Sequence, residues 1–173
     1  MHTLAVVGIG EAGLDGLRSE ARRALEEAEV LVGGERHQRL LPEHPAQRVV
    51  FKRDAAQLAE EVERLLDAGR RVVVLASGDP VYFGIGPLLA ERLGPQRVRI
   101  YPNVGAVQLA FARLGLAWRD ALVLSAHGRP LEPVVRAATG ELKLAILTDT
   151  VHTPAAVAHA LLEAGIEPVA ETW

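Results

Sequence analysis

Short apolar runs, each broken by a turn and followed by an amphipathic stretch, constrain this chain more than any other feature. Residues 3–8 (TLAVVG), 30–32 (VLV), 71–76 (RVVVLA), 97–101 (RVRIY), 121–126 (ALVLSA) and 143–148 (KLAILT) are such runs. Short continuous apolar runs suit strands buried on both faces, as in a parallel sheet covered by helices. The segments between them carry the helical period. Residues 19–28 put Ala21, Ala24, Leu25 and Ala28 on one face, with Ser19 as the expected N-cap. Asp54 is expected to cap a helix through Leu58, Val62, Leu65 and Leu66 that Gly69 stops, and Gln57 adds the capping-box pattern. Further helices are expected over 86–93, 105–114 and 131–138, and from Pro154, a residue suited to a first helical turn. A last strand is expected to end at Trp173. The alternation predicts an α/β fold in two lobes, each with a mostly parallel sheet. The N-terminal lobe is expected over residues 1–118 and the C-terminal lobe over 119–173, with 115–120 between them. The second lobe reads as shortened, because the chain stops right after its third expected strand.

The 173 residues fit one ordinary domain or two small ones. With 49% hydrophobic and 24% charged residues the chain can bury a core, and because only 4% is aromatic, Val, Leu and Ala must fill it. A formal net charge of −3, with both signs interleaved, gives no basic footprint for nucleic acid. No apolar run reaches the roughly 18–20 residues of a membrane span. The first residues lead into a strand without a signal-peptide layout, so a cytoplasmic location is expected. The absence of cysteine excludes disulfides and thiolate metal sites, and no metal is expected.

The chemistry-bearing residues gather where apolar runs end, which is where open α/β sheets bind ligands. Gly8-Ile9-Gly10-Glu11-Ala12-Gly13 is a literal G-x-G-x-x-G, with Glu35 further on as a ribose partner. A dinucleotide site needs a helix to begin inside that motif, and Leu14-Asp15-Gly16-Leu17 intervenes, so a plain strand-to-helix turn competes with it. Ser77-Gly78-Asp79-Pro80 ends the third run. Pro80 stiffens the turn and biases Asp79 to an extended backbone, while Gly78 and Gly84 bare the surface for a ligand. A fixed carboxylate there suits hydroxyls or a cationic centre; the competing role is a local turn bond. Tyr101-Pro102-Asn103-Val104-Gly105-Ala106 leads a strand into a helix whose first amides are free to floor a pocket or to pack closely. Ser125-Ala126-His127-Gly128-Arg129-Pro130 sets a His and an Arg around a Gly, and the Arg suits carboxylates, although a surface turn would look the same. Gly33-Gly34-Glu35-Arg36-His37 is a further strand end with basic groups. His2, His44 and His159 read as surface or terminal, and His152 beside Asp149 reads as a cap.

Taken in order, these strand ends resemble the tetrapyrrole methylase family. Val7-Gly8-Ile9-Gly10, Val32-Gly33-Gly34-Glu35-Arg36-His37, and Ser77-Gly78-Asp79-Pro80 with Tyr82-Phe83-Gly84 carry the likeness. Pro102-Asn103-Val104-Gly105-Ala106-Val107-Gln108, Trp118-Arg119-Asp120-Ala121 and Ser125-Ala126-His127-Gly128-Arg129 continue it end to end. The G-D-P turn alone is shared with relatives that methylate diphthamide precursors. Its combination with G-G-x-R-H and S-A-H-G-R resembles the branch that methylates carbon 5 of precorrin-6Y or cobalt-precorrin-7 in cobalamin biosynthesis.

The resemblance implies two α/β lobes with S-adenosyl-L-methionine in a cleft between them. By matching positions, it places cofactor contacts on Glu11, Ser77, Gly78, Asp79, Tyr82, Gly105, Ala106 and Thr148. It makes Arg36, His37 and Arg129 candidates for gripping substrate carboxylates, and His127 the candidate for proton removal. Glu11-Ala12 stands where the family usually has Pro-Gly, and family members usually continue beyond the length seen here. A corrinoid substrate, a homodimer and a separate carbon-15 methyltransferase/decarboxylase are the implied partners. Competing classes are an oxidoreductase binding NAD or flavin through Gly8, Gly10 and Gly13, and an inactive remnant with an incomplete second lobe.

Overall fold

The structure is a computed structural model, and it describes residues 3–51 and 54–167. The chain divides into two compact units, residues 1–106 and 107–173. The division falls at the head of a helix, and the expected linker at 115–120 lies within the second unit.

The first unit is built on five parallel strands: β1 (Leu4–Ile9), β2 (Val30–Gly33), β3 (Gln47–Val50), β4 (Val72–Ser77) and β5 (Val98–Tyr101). Their order across the sheet is β3-β2-β4-β1-β5. Alternate residues on a strand face opposite ways, and the core follows that rule. Leu4, Val6, Val30, Val32, Val72 and Val74 cluster with Leu58, Val62, Leu65 and Leu66 of α3 (Ala55–Asp67) and with Leu89 and Leu93 of α4 (Gly86–Leu93). Ala5, Val7, Ile9, Leu31, Val73 and Leu75 cluster with Leu17 and with Ala21 and Leu25 of α1 (Ser19–Glu26). Both faces are covered, which is why these strands read as unbroken apolar runs.

Helix ends follow local chemistry. Asp54 accepts from the amides of Ala56 and Gln57 and caps α3 as expected. Its far end closes as a Schellman turn, with Gly69 N donating to Leu66 O and Arg70 N to Leu65 O. The start of α1 corrects the expectation: Arg18 is the N-cap, with no side-chain bond, and Ser19 is the first helical residue. The buried Leu17 fixes where the chain enters that helix.

Two elements were not expected. The edge strand β3 and the single turn α2 (Glu35–Gln38) are four residues each. The edge strand is largely exposed and carries no buried run. The turn takes its place through buried Gln38, whose Nε2 donates to Leu31 O, and through Arg48, which donates to the carbonyls of Gln38, Leu41 and Pro42.

The second unit contains α5 (Ala106–Leu114) from Val107 onward, β6 (Leu122–Ser125), α6 (Leu131–Ala138), β7 (Leu144–Leu147) and α7 (Pro154–Glu163). The strands pair in parallel, Leu122 with Leu144 through Ser125 with Leu147. Ala126, Val134 and Val157 are buried at its core, with Leu124, Leu131, Ile146 and Leu161 against them. Thr153 caps α7 by accepting from Ala156 N, with Pro154 at the first helical position. The strand expected to end at Trp173 lies outside the described residues, as does His2.

Candidate functional site

The two central strands of the first unit send their connections opposite ways. From β1 the chain crosses to β2 on the face that carries α1, whereas from β4 it crosses to the far edge, β5, on the face that carries α4. A crevice at the carboxyl ends of the strands is the usual consequence of such a reversal. Ile9 and Ser77 are level with one another, and Val7 pairs with Tyr101, so three strand ends meet there.

Backbone bonds stitch the three loops together. Gly78 N donates to Ile9 O at 2.8 Å, and Asn103 N donates to Gly78 O at 3.1 Å. The Asn103 side chain completes the set: Nδ2 donates to Gly8 O at 3.2 Å and Gly16 O at 3.3 Å, and Oδ1 accepts from Val104 N at 2.9 Å. Gly78 has φ +55°, and a Cβ there would stand 2.8 Å from Gly105 Cα. Ser77, Gly78, Asp79 and Gly105 therefore share one place, at the head of α5. Ala106 is the first residue of that helix and is exposed.

The loop after β4 is wound around buried Pro80. Asp79 Oδ1 accepts from Val81 N at 2.9 Å, Asp79 O from Tyr82 N at 3.1 Å, and Pro80 O from Gly86 N at 2.8 Å. Asp79 thus makes the local turn bond with one oxygen, leaving the other clear of that bond. Beyond it Val81, Tyr82 and Phe83 are large and exposed, and the two rings meet edge to face at 4.9 Å. Phe83 has φ +54°, the single non-glycine residue at positive φ among the described residues. Such a conformation in a bulky residue costs roughly 1–3 kcal/mol and gathers at functional sites.

A second cluster joins this loop to α2. The Arg36 guanidinium donates to Ser77 Oγ, the Ser77 hydroxyl lies 3.2 Å from His37 Nε2, and Arg36 Nε lies 3.3 Å from the same nitrogen. His37 is buried, and burial, with the Arg36 charge beside it, pushes its pKa down to about 4. Its imidazole is neutral at pH 7, so of this pair the exposed cation is Arg36.

Glu11 lies in the exposed turn after β1, closed by Gly13 N donating to Gly10 O at 3.1 Å. No helix begins until Ser19. The glycines of the G-x-G-x-x-G run therefore do not open a helix toward a ligand, and the arrangement a pyrophosphate requires is missing.

Within the second unit, His127, Gly128 and Arg129 are exposed after β6, and Thr148 follows β7 half-buried. Asp149 accepts from the amides of Gly128, Val151 and His152. The binding part played by Asn103 was not anticipated, nor was the bond of Asp149 across to Gly128. The available signal was an Asn or Asp at a strand end, a residue type that bonds nearby backbone in place of a regular ladder.

Known proteins agree with this architecture. The model of the tetrapyrrole (corrin/porphyrin) methylases matches residues 3–172. The precorrin-6Y C(5,15)-methyltransferase [decarboxylating] of Sinorhizobium sp is 41% identical over 136 residues, which cover 76% of this chain and 32% of that protein. The cobalt-precorrin-7 C(5)-methyltransferase of Salmonella typhimurium is 35% identical over 162 residues, covering 94% of this chain and 79% of the relative. This chain thus spans about a third of the first relative and most of the second. The crystal structure of the methyltransferase CobJ superposes with a TM-score of 0.76 at 27% identity, covering 97% of this chain and 78% of that one. The precorrin-6Y methylase (cbiE) of Archaeoglobus fulgidus gives 0.62 at 26% identity, covering 93% and 79%. These matches lead to one assignment: the chain belongs to the tetrapyrrole methylase family.

Proposed function

We propose that the chain is an S-adenosyl-L-methionine-dependent C-methyltransferase that methylates carbon 5 of a corrinoid precursor, precorrin-6Y or cobalt-precorrin-7, in cobalamin biosynthesis. The observation that carries it is the meeting of Ser77, Gly78, Asp79 and Gly105 at the ends of β4 and β5. The residues there fit the cofactor's chemistry. Asp79 offers a carboxylate on a turn fixed by Pro80 and its own bond to Val81 N, suited to hydroxyls or a cationic centre. Gly105, which leads into α5, brings bare backbone close to Gly78 there. Val81, Tyr82, Phe83 and Val104 offer exposed apolar surface, and Glu11 lies in the adjoining turn. When bound, the cofactor supplies an electrophilic methyl on a sulfonium; orientation and exclusion of water are the protein's share.

On the substrate side, Arg36 is assigned to a carboxylate of the macrocycle, held in place by Ser77 and by neutral His37. From the second unit the resemblance assigns Arg129 to a further carboxylate, Thr148 to the cofactor and His127 to proton removal. Methylation of an electron-rich ring carbon needs no side-chain base to start it, so His127 would act only after the carbon–carbon bond has formed.

Calorimetry with S-adenosylhomocysteine tests the cofactor half. Asp79→Ala is expected to weaken binding by about 1.5–3 kcal/mol, the range for a hydrogen bond to a charged group, and unchanged affinity removes Asp79 from the site. Incubation with either corrinoid and S-adenosyl-L-methionine, read by mass spectrometry, tests the reaction; no gain of a methyl group rejects it. The resemblance also supports a homodimer, and the proposal extends to a cytoplasmic location and to methylation of carbon 15 by a separate protein. Sedimentation of the purified chain checks the first point, and a product still lacking the carbon-15 methyl checks the last.

A further inference from the structure

Asp149 uses both carboxylate oxygens on backbone amides. Oδ1 accepts from Val151 N at 2.8 Å and His152 N at 2.6 Å, closing a turn within the loop after β7. Oδ2 accepts from Gly128 N at 2.8 Å, in the loop after β6. Two more bonds join the same loops: Ala126 N donates to Leu147 O at 2.8 Å, and His152 Nδ1 lies 3.0 Å from Ala126 O. The three amide donors favour the ionised form and hold the Asp149 pKa down at about 2. A carboxylate so occupied has little basicity left, which argues against a part in proton transfer. Gly128 itself has φ +64° with open space around it, so a left-handed turn, not crowding, is what requires glycine there. His127 and Arg129 flank that turn and are both exposed.

We propose that Asp149 is a positioning residue, whose bond across to Gly128 N fixes the His127-Gly128-Arg129 turn in the conformation that meets the substrate. The inference rests on the corrinoid-methylase reading above and deepens it. The side chains assigned to substrate sit on a short exposed loop, closed from within by Arg129 N donating to Ala126 O at 3.4 Å and joined from outside at Gly128 N. Among the described residues, the Gly128 bond is the hydrogen bond of Asp149 that leaves its own loop, and it ends at the residue between them.

Asp149→Asn separates this brace from the local turn. The amide keeps a carbonyl oxygen for Val151 N and His152 N but sets an N–H2 group against Gly128 N–H, donor facing donor. Three measurements on the whole chain decide the matter: KM for the corrinoid, S-adenosylhomocysteine affinity, and hydrogen exchange of the Gly128 and Arg129 amides. The variant is expected to raise KM by about tenfold or more, the scale of one charge-assisted bond, with cofactor affinity preserved and both amides exchanging faster. Unchanged exchange overturns the brace. Faster exchange with unchanged KM overturns its bearing on substrate, and an equal fall in cofactor affinity marks a general structural defect. If the parent chain methylates neither corrinoid, the functional reading fails instead. Corrinoid binding by parent and variant, with the exchange rates, then still decides the brace.

Discussion

Gly78 and Gly128 both adopt left-handed backbone, yet for different reasons, and the difference can be measured. At Gly128 an added Cβ meets nothing within 4 Å, so alanine would bear only the conformational strain. That strain is roughly 1–2 kcal/mol. At Gly78 the same methyl would lie 2.8 Å from Gly105 Cα and 3.3 Å from Val104 O, both backbone atoms that cannot swing aside. Gly78→Ala is therefore expected to lose more stability than Gly128→Ala in urea titrations of the two variants, and to weaken S-adenosylhomocysteine binding as well. Equal losses would mean that the loops after β4 and β5 part readily, and the close approach would then have no bearing on the site. Both glycines stood out in the sequence as strand-end residues, but the crowding at Gly78 comes from a loop far along the chain.

At the scale of elements, the legible strands are those carried by continuous apolar runs. All six apolar runs contain a strand as the sequence predicts, and in β1, β2 and β4 covering both faces leaves no room for polar alternation. Strand β3 escaped notice because Gln47–Val50 is an exposed edge, where side chains need not declare a buried face. The turn α2 escaped because one helical turn has no period to read and cannot stand alone. Its position depends on bonds from other segments, above all Arg48, which reaches the carbonyls of Gln38, Leu41 and Pro42 from β3. The same limit applies to the site. Asp79 and the glycines announced themselves by spacing, but Asn103 binds carbonyls at Gly8 and Gly16 that only the folded sheet brings near. Because Arg48 anchors the segment bearing Arg36, Arg48→Ala should act on both stability and substrate. A loss of about 1–2 kcal/mol is expected, toward the low end for charged-group bonds because the side chain is exposed. The corrinoid KM should rise while S-adenosylhomocysteine affinity holds. An unaltered KM in a folded variant would show that α2 keeps its place without Arg48.

Over the whole molecule, acid should weaken folding over two pH windows, a higher one set by His37 and a lower one to which Asp149 contributes. His37 has its folded pKa lowered from 6.5 to about 4 by burial and by Arg36. The unfolded chain takes up that proton first, so stability is complete above about 6.5 and falls as pH drops toward 4. Asp149 is lowered from 3.8 to about 2 by its three amide donors. Its contribution is complete above about 3.8 and fades as pH falls toward 2. The first window belongs to the turn α2, where His37 lies beside Arg36, the second to the loop after β7, which bonds across to Gly128. Urea midpoints between pH 7 and 4.5 should therefore decline, and His37→Gln should flatten that decline while leaving any loss below pH 4 in place. Because glutamine in a buried site could itself disturb folding, the His37 ring protons in the parent chain offer an independent reading by NMR. They should hold their neutral-form shifts from pH 7 down to about 5. A ring that titrates near 6.5 would mean that His37 meets solvent and carries charge, and the grip on substrate carboxylates would then have to be shared between it and Arg36.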